Sequence, residues 1–137
     1  MPADALLLQI VQKYAADAVR MAQSKFHVDL DGSEESISRV EQILDQIHRA
    51  TTVKPVTDEV IAVFSKTFGS YVGEVFRRHH GGEWFMMEVD GGQYPGIKDE
   101  GRDFTFWPWG KVCNRIRDGR GESVAAYYTV SVKVHGA

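Results

Sequence analysis

The run from Thr57 to Gly82 constrains the fold more than any other part of the sequence. Its apolar residues recur at steps of three and four positions, so a helix would carry them on one broad face. They are Val60, Ile61, Phe64, Phe68, Tyr71, Val72, Val75 and Phe76. The Thr57 hydroxyl can cap the first turn, and Gly81 and Gly82 can supply the left-handed backbone that ends a helix. The run therefore predicts a long core helix over residues 57–80.

A second face of the same helix consists of small residues. Ala62, Ser65, Gly69 and Gly73 follow one another at three- and four-residue spacing. Each glycine inside a helix costs about 1 kcal/mol relative to alanine, so two of them indicate that close packing compensates for the loss. We predict that a strand or a second helix crosses this face closely. The alternative is a contact surface for a partner.

Two amphipathic helices are predicted before this run, over residues 3–24 and 33–49. The first carries apolar residues at helical spacing, and its Leu6-Leu7-Leu8 end is a candidate contact for a homodimer. The second begins near Ser33, where Asp31 or Ser33 can cap its first turn. Residues 50–56 break the helical pattern, and Pro55 keeps the chain extended before the Thr57 cap.

Extended segments follow Gly82. Residues 83–90 lie between glycine pairs and predict a buried strand, and residues 93–98 and 103–107 predict two more strands of a small antiparallel sheet. Pro108 is well placed to begin a short helix that ends at Gly119. Residues 123–134 fit either type of structure, and we expect a short helical turn followed by a strand. The predicted fold class is α+β, with three N-terminal helices packed on a small C-terminal antiparallel sheet with one short helix.

Length and composition limit the classes of protein. The 137 residues fit a single domain over 1–137, and 43% hydrophobic with 26% charged residues is typical of a folded soluble protein. A formal net charge of −3 gives no general attraction for nucleic acid or anionic lipid. Cys113 is the single cysteine, so no intrachain disulfide can form, and the N-terminus lacks the basic and small-residue features of a signal peptide. We expect a cytoplasmic protein that binds no nucleic acid, no membrane and no cofactor.

The pattern of residues 68–128 resembles a known type of domain. FGSYVGEVFRRHHGGEW is followed by a glycine-rich turn, a Trp-Pro junction and KVCNRIRDGRGESVAAYY. This resembles small bacterial domains of unknown function that combine a Gly-x-x-x-Gly-Glu helix, a tryptophan strand and a proline-led short helix. Such families are similar to those encoded near secreted toxins, some members of which are thought to act as immunity proteins. The resemblance implies a protein partner such as a toxin, and it carries no catalytic signature.

The RRHHGGEW junction holds the candidate metal ligands. His79 and His80 stand close to Glu83, and Asp90 ends the same predicted strand; imidazole and carboxylate groups suit zinc or a related divalent metal. Adjacent histidines point about 100° apart on a helix, however, so both could bind one metal only where the helix has frayed. The favoured interpretation is that these are polar residues that satisfy a helix C-terminus. The alternative is a metal-dependent enzyme or regulator that uses His79, His80 and Glu83.

Glu74 is the other candidate for chemistry. It follows Gly73 in the most apolar part of the chain, where a buried carboxyl group can have a raised pKa and act as a general acid or base. The favoured interpretation is an ion pair with an arginine, either Arg78 one turn later or Arg115 from the short helix. Cys113, which has no evident activating base, is predicted to be a buried inert thiol.

The glycine-rich loop from Gly91 to Arg102 is the candidate binding segment. Its side chains and two nearby tryptophans supply the acidic and aromatic groups that suit recognition of a protein. The candidate binding residues are Tyr94, Asp99, Glu100, Arg102, Trp107 and Trp109. The same aromatic residues beside arginines could stack on single-stranded nucleic acid, but the acidic net charge disfavours that alternative. We therefore predict a non-enzymatic protein-binding module, in which the resemblance implies an immunity protein that neutralises a toxin.

Overall fold

The computed structural model describes residues 3–89 and 91–137; Asp90, one of the candidate metal ligands, lies outside them. It contains five α-helices and three strands within these ranges. The helices are α1 (Ala3–Met21), α2 (Ser36–Val53), α3 (Asp58–His80), α4 (Pro108–Asp118) and α5 (Val124–Gly136). The strands are β1 (Glu83–Val89), β2 (Gly92–Asp99) and β3 (Phe104–Phe106). Within the described ranges, the helices include none that is long and apolar enough to cross a membrane.

Helix α3 forms the centre of the core, as its periodicity predicts. Phe68, Val72 and Phe76 have no exposed surface. At its start, Thr57 Oγ1 accepts a hydrogen bond of 3.3 Å from the backbone N–H of Val60. At its end, Gly81 adopts φ +94°, a conformation that residues with a side chain rarely take. The cap, the apolar face and the glycine stop together set the two ends of this helix.

The small-residue face of α3 is crossed closely, which confirms the prediction made from its glycines. A Cβ atom at Gly73 would come within 2.3 Å of the Trp84 ring in β1. One at Gly69 would lie 2.8 Å from the backbone Cα of Trp109 in α4. Both a strand side chain and a helix backbone therefore pack where α3 has no side chain.

Helices α1 and α2 agree with the predicted amphipathic helices, but their ends differ. α1 continues into a five-residue π-helical turn, Ala22–Phe26. α2 begins at Ser36 because Asp31 and Ser33 cap a preceding turn: the Asp31 carboxylate accepts a hydrogen bond from the N–H of Ser33, and the Ser33 hydroxyl accepts one from the N–H of Ser36. α2 ends at Val53, later than the predicted residue 49.

The sheet is antiparallel with the strand order β1-β2-β3. Its three strands match the predicted segments, and their ends differ from the predicted ones by at most one residue. Trp84, Ile97 and Phe106 lie opposite one another and are buried on the face that packs on the helices. We call this the inner face. It joins the sheet to α3, so the architecture is the predicted α+β fold.

The C-terminal segment corrects one prediction. Residues 123–134, expected to form a helical turn and a strand, lie in α5, so two helices rather than one follow the sheet. The Ser123 hydroxyl caps α5 by accepting a hydrogen bond of 3.1 Å from the N–H of Ala126. The buried residues Val124, Tyr128, Ser131 and His135 recur at helical spacing. Burial of this helical stripe outweighs the strand preference of the β-branched residues in the segment.

A buried arginine connects α2, α4 and α5. The side chain of Arg115 is 2% exposed and is paired with Glu41 and Asp45 of α2. The second oxygen of Glu41 accepts a hydrogen bond of 3.0 Å from the backbone N–H of Ala125 at the start of α5. Burial alone raises the pKa of Glu41, but hydrogen bonds from Arg115 and Ala125 outweigh it and lower that pKa. One carboxylate therefore both neutralises the arginine and satisfies the first turn of another helix.

Candidate functional site

The second face of the sheet, which we call the outer face, is turned away from the helices. Neighbouring residues of a strand point to opposite faces. Because Trp84 and Ile97 oppose each other on the inner face, the next opposed pair, Phe85 and Gly96, belongs to the outer face. Besides Phe85, the register assigns five further side chains to this face: Glu83, Met87, Tyr94, Lys98 and Thr105.

Apolar side chains cover the middle of the outer face. Tyr94 is 48% exposed, Phe85 is partly exposed and Met87 is buried. A Cβ atom at Gly96 would lie 2.3 Å from the methyl carbon of Met87, and one at Gly92 would lie 2.9 Å from the Tyr94 ring. The two glycines therefore let the methionine and the tyrosine lie against the strand backbone. The result is a low apolar surface with an exposed aromatic ring.

Charged side chains border this surface at the end of the hairpin where β1 begins. Lys98 Nζ lies 2.7 Å from Glu100 Oε1 and 5.1 Å from the centre of the Phe85 ring. The hydrogen bond from Lys98 lowers the pKa of Glu100. Together with Glu83, these residues line a hollow of about 510 Å³. An aromatic ring beside carboxylates is an arrangement that attracts cations, and here the lysine of the same chain occupies it.

The next residue along β2, Asp99, points to the inner face. Its Oδ2 accepts a hydrogen bond of 2.7 Å from Nε2 of His135 in α5. Arg102 Nη1 donates a hydrogen bond of 2.8 Å to the backbone oxygen of His135. The side chain of His135 is only 6% exposed. These contacts attach the end of β2 to the C-terminal part of α5.

A second histidine–carboxylate pair lies beside the first. Glu34 Oε2 accepts hydrogen bonds from His80 Nε2, over 2.7 Å, and from Tyr128 Oη, over 2.6 Å. Burial alone raises the pKa of Glu34, but these two hydrogen bonds outweigh it, so that pKa is lowered. Burial and the nearby Glu34 carboxylate both raise the pKa of Tyr128. The rings of His80 and His135 are 6.3 Å apart and both contact Phe76, so the two pairs form one junction, which we call the histidine junction.

The three sequence-predicted metal ligands do not converge. His79 Nε2 lies 3.1 Å from the backbone oxygen of Gly32, and His80 is bonded to Glu34. Both histidines therefore join the end of α3 to the segment before α2. Glu83 is exposed on the outer face of β1. Within residues 3–89 and 91–137, no three His, Cys, Asp or Glu side chains form a group that could hold a metal ion.

Glu74 is a buried, ion-paired carboxylate. It accepts hydrogen bonds of 2.6 and 3.1 Å from the Arg77 guanidinium and one of 2.9 Å from Trp84 Nε1. Burial alone raises its pKa, but these contacts outweigh it and lower that pKa, which is opposite to the alternative of a raised value. The predicted ion pair with an arginine is confirmed, although Arg77 makes the main contact. Arg78 lies farther away, at 3.7 Å, and Arg115 pairs with α2 instead.

The two tryptophans at the start of α4 have structural contacts. Trp109 Nε1 donates a hydrogen bond of 3.0 Å to the Ser70 hydroxyl in α3. The backbone N–H of Trp107 donates one of 2.9 Å to the Tyr127 hydroxyl in α5. Both tryptophans are partly exposed. Their side chains and backbone hold α4 between two other helices.

The structure thus divides the six predicted binding residues among three places. Tyr94 lies on the outer face and Glu100 borders it. Asp99 and Arg102 belong to the histidine junction, and the two tryptophans hold α4. Sequence reasoning missed Phe85 as a surface residue because it interpreted residues 83–90 as a buried strand, and it did not select Lys98 from the segment 93–98. The alternation of side chains along a strand was the signal that could have identified the outer face.

The histidine junction was missed for a different reason. Glu34, Tyr128 and His135 come from the start of α2 and from α5, far from His80 in the chain. No local motif relates residues so widely spaced. Their association depends on the packing of α5 beside α3, which the sequence alone did not reveal.

Comparisons with known proteins bear on the fold. No protein-family model matches the chain, and no curated protein matches it. A crystal structure of a protein from Bacteroides thetaiotaomicron VPI-5482 is similar, with a TM-score of 0.66 and 16% sequence identity. The similarity covers 96% of this chain and 45% of that one, so this chain spans less than half the length of that protein. At this identity the likeness shows that the two share a fold.

Proposed function

We propose that the chain is a protein-binding module and that the outer face of its sheet is the docking surface. The exposed aromatic ring of Tyr94, on the same face of the sheet as the partly exposed Phe85, is the observation that carries this proposal. Protein interfaces are enriched in aromatic residues and methionine at their centre and have a polar rim. The outer face has apolar residues at its middle and the charged residues Lys98, Glu100 and Glu83 along one end.

The polar groups elsewhere in the molecule support binding over catalysis. The residues of the two histidine–carboxylate pairs already hydrogen-bond to each other or to Tyr128, and His135 and Tyr128 are each about 5% exposed. A general acid or base must reach the proton that it transfers. The alternative of a metal-dependent enzyme or regulator at His79, His80 and Glu83 loses support, since the two histidines bond to the segment before α2.

The partner in this proposal is a protein such as a toxin. The resemblance of residues 68–128 to immunity-associated domains supports this narrower role, in which the outer face would cover a surface that the toxin needs. We further propose that the protein acts in the cytoplasm, which its single cysteine supports.

Partner capture with matched variants tests the proposal. The tagged protein is expressed in its native cell as wild type, as Phe85→Ala/Tyr94→Ala on the outer face, and as Val130→Ala/Val134→Ala on α5. The two valines are 57% and 60% exposed, so the second pair removes exposed apolar groups from a different element. We expect the wild type and the α5 variant to recover the same protein partner and the outer-face variant to lose it. Recovery of no partner, or equal recovery by all three, would refute the proposed function; circular dichroism verifies that each variant is folded.

A further inference from the structure

The two edges of the sheet differ in how they are protected. β3 has three residues and leads directly into Pro108 and α4. β1 has seven residues, contains neither proline nor lysine, and pairs with β2 alone among the described residues. Natural sheets usually protect an edge by shortening it, by proline or bulges, or by a covering element. Helix α1 contacts β1, but no second strand among the described residues pairs with its edge, so the backbone N–H and C=O groups there are left without strand partners and another strand can bind them.

The exposed charges along this edge are acidic. Glu83 and Glu88 are exposed, and they lie on opposite faces of the strand because they are five positions apart. Phe85 and Met86, between them, are partly exposed and 45% exposed respectively. Lys98, the nearby cation of β2, is already paired with Glu100. The edge thus consists of strand backbone without a partner strand, with apolar side chains at its centre and a carboxylate at each end.

We propose that the edge of β1 binds an extended segment of the partner protein as a fourth strand. Charge complementarity specifies the segment: it carries a lysine or arginine opposite Glu83, a second one opposite Glu88, and apolar residues opposite Phe85 and Met86. The two basic residues are five positions apart and therefore point to opposite faces of the added strand. This inference rests on the proposed function and defines the chemistry of the partner.

A second copy of this chain is a poorer occupant of the same edge. Antiparallel pairing of two β1 strands about the midpoint between Phe85 and Met86 would set Glu83 of each copy opposite Glu88 of the other. Like charges directly opposite each other on paired strands are destabilising. The two glutamates therefore oppose self-association through this edge and favour a basic strand.

Binding of a defined peptide to the purified protein tests the inference. The probe is a fluorescently labelled six-residue peptide with lysine at each end, threonine beside each lysine and two valines in the middle. Its symmetric sequence fits either strand direction. One control peptide has glutamate at both ends, and another carries N-methyl groups on each of the four central residues of the lysine peptide, which removes the N–H donors of both edges. Fluorescence anisotropy at low salt measures the affinity, and sedimentation velocity measures the oligomeric state.

We expect the lysine peptide to bind and both control peptides to bind at least tenfold more weakly. Glu83→Gln and Glu88→Gln should each weaken binding by about two- to fivefold, the range for an exposed ion pair, and should reduce its salt dependence. Glu59→Gln, which removes an exposed carboxylate from the start of α3, should leave the affinity unchanged. No binding of the lysine peptide, equal binding of the glutamate or N-methylated peptide, or a dimer that forms through β1 would overturn the inference. Such a result would not refute the proposed function, because the partner-capture experiment tests the outer face independently.

Discussion

The glycine at position 73 of α3 offers a sharp test of how the helix packs on the sheet. In Gly73→Ala the new methyl group would lie 2.3 Å from the Trp84 ring and 3.2 Å from a ring carbon of Pro108. The tryptophan must move, and its hydrogen bond to Glu74 is then strained or lost. A glycine-to-alanine change inside a helix would otherwise raise stability.

The magnitude follows from three opposing contributions. Overpacking of a core costs about 1–3 kcal/mol, and loss of a hydrogen bond to a charged group costs about 1.5–3 kcal/mol. The gain in helix propensity is about 1 kcal/mol. We therefore expect Gly73→Ala to lower the free energy of unfolding by about 3 kcal/mol, which corresponds to a fall in Tm of about 10 °C for a domain of this size.

Urea unfolding followed by circular dichroism measures this change. The matched control is Gly110→Ala in α4, where a Cβ atom would meet nothing within 4 Å. The control should raise stability by about 0.5–1 kcal/mol because only the propensity gain remains. If Gly73→Ala were as stable as the wild type while the control behaved as expected, the close packing of Trp84 on α3 would be wrong.

Two further predictions concern charged residues of the core. Arg115→Met should lower the free energy of unfolding by about 3–5 kcal/mol because it leaves the carboxylates of α2 without their buried partner. Arg117→Met, which breaks an exposed ion pair, should change that free energy by less than about 1 kcal/mol. Urea unfolding compares the two variants, and equal effects would contradict the assignment of a buried network. The pH dependence should follow mainly three glutamates that bond to other elements or lie in the core and whose folded pKa, like that of the exposed Glu100, is lowered below the ordinary value of 4.5: Glu34, Glu41 and Glu74. Because the folded state binds their protons less readily than the unfolded state, their stabilisation is present above pH 4.5 and is lost as the pH falls through the lower folded values. Unfolding free energies measured from about pH 7 to pH 3 should therefore fall at the acidic end, less steeply in Glu74→Gln, and a flat profile would contradict these pKa directions.

The central helix was predictable because its signals are local. Thr57, the apolar face and Gly81 act within one element, and each makes the contact that its residue type favours. The C-terminal segment was not predictable in this way. Val130 and Val134 alternate with polar residues as in a strand, yet they are exposed on the surface of α5. The alternating valines are therefore not the residues that become buried, and only the position of α5 beside α3 and β3 shows which of its residues face the core.

The candidate sites show the same division. Tyr94 and Glu100 could be chosen from the sequence because a glycine-bounded loop with aromatic and acidic residues suits a surface. Asp99 could not be assigned to the interior, since the strand that carries it extends farther than predicted and alternates its side chains between two faces. The distinction between Lys98 and Asp99, neighbours with opposite orientations, requires the exact register.

The two hydrogen-bond donors of Glu34 are synthesised at different times, because they lie far apart in the chain. Its bond to His80 spans 46 positions, and its bond to Tyr128 spans 94. A ribosome releases the N-terminal part of a chain first, so Glu34 and His80 can meet while the residues of α5 are still being synthesised. Until Tyr128 emerges, the glutamate lacks one of its two donors and the aromatic rings around Phe76 lack a cover. The final helix is therefore the part of the chain that turns a partly open assembly of helices and strands into the closed domain.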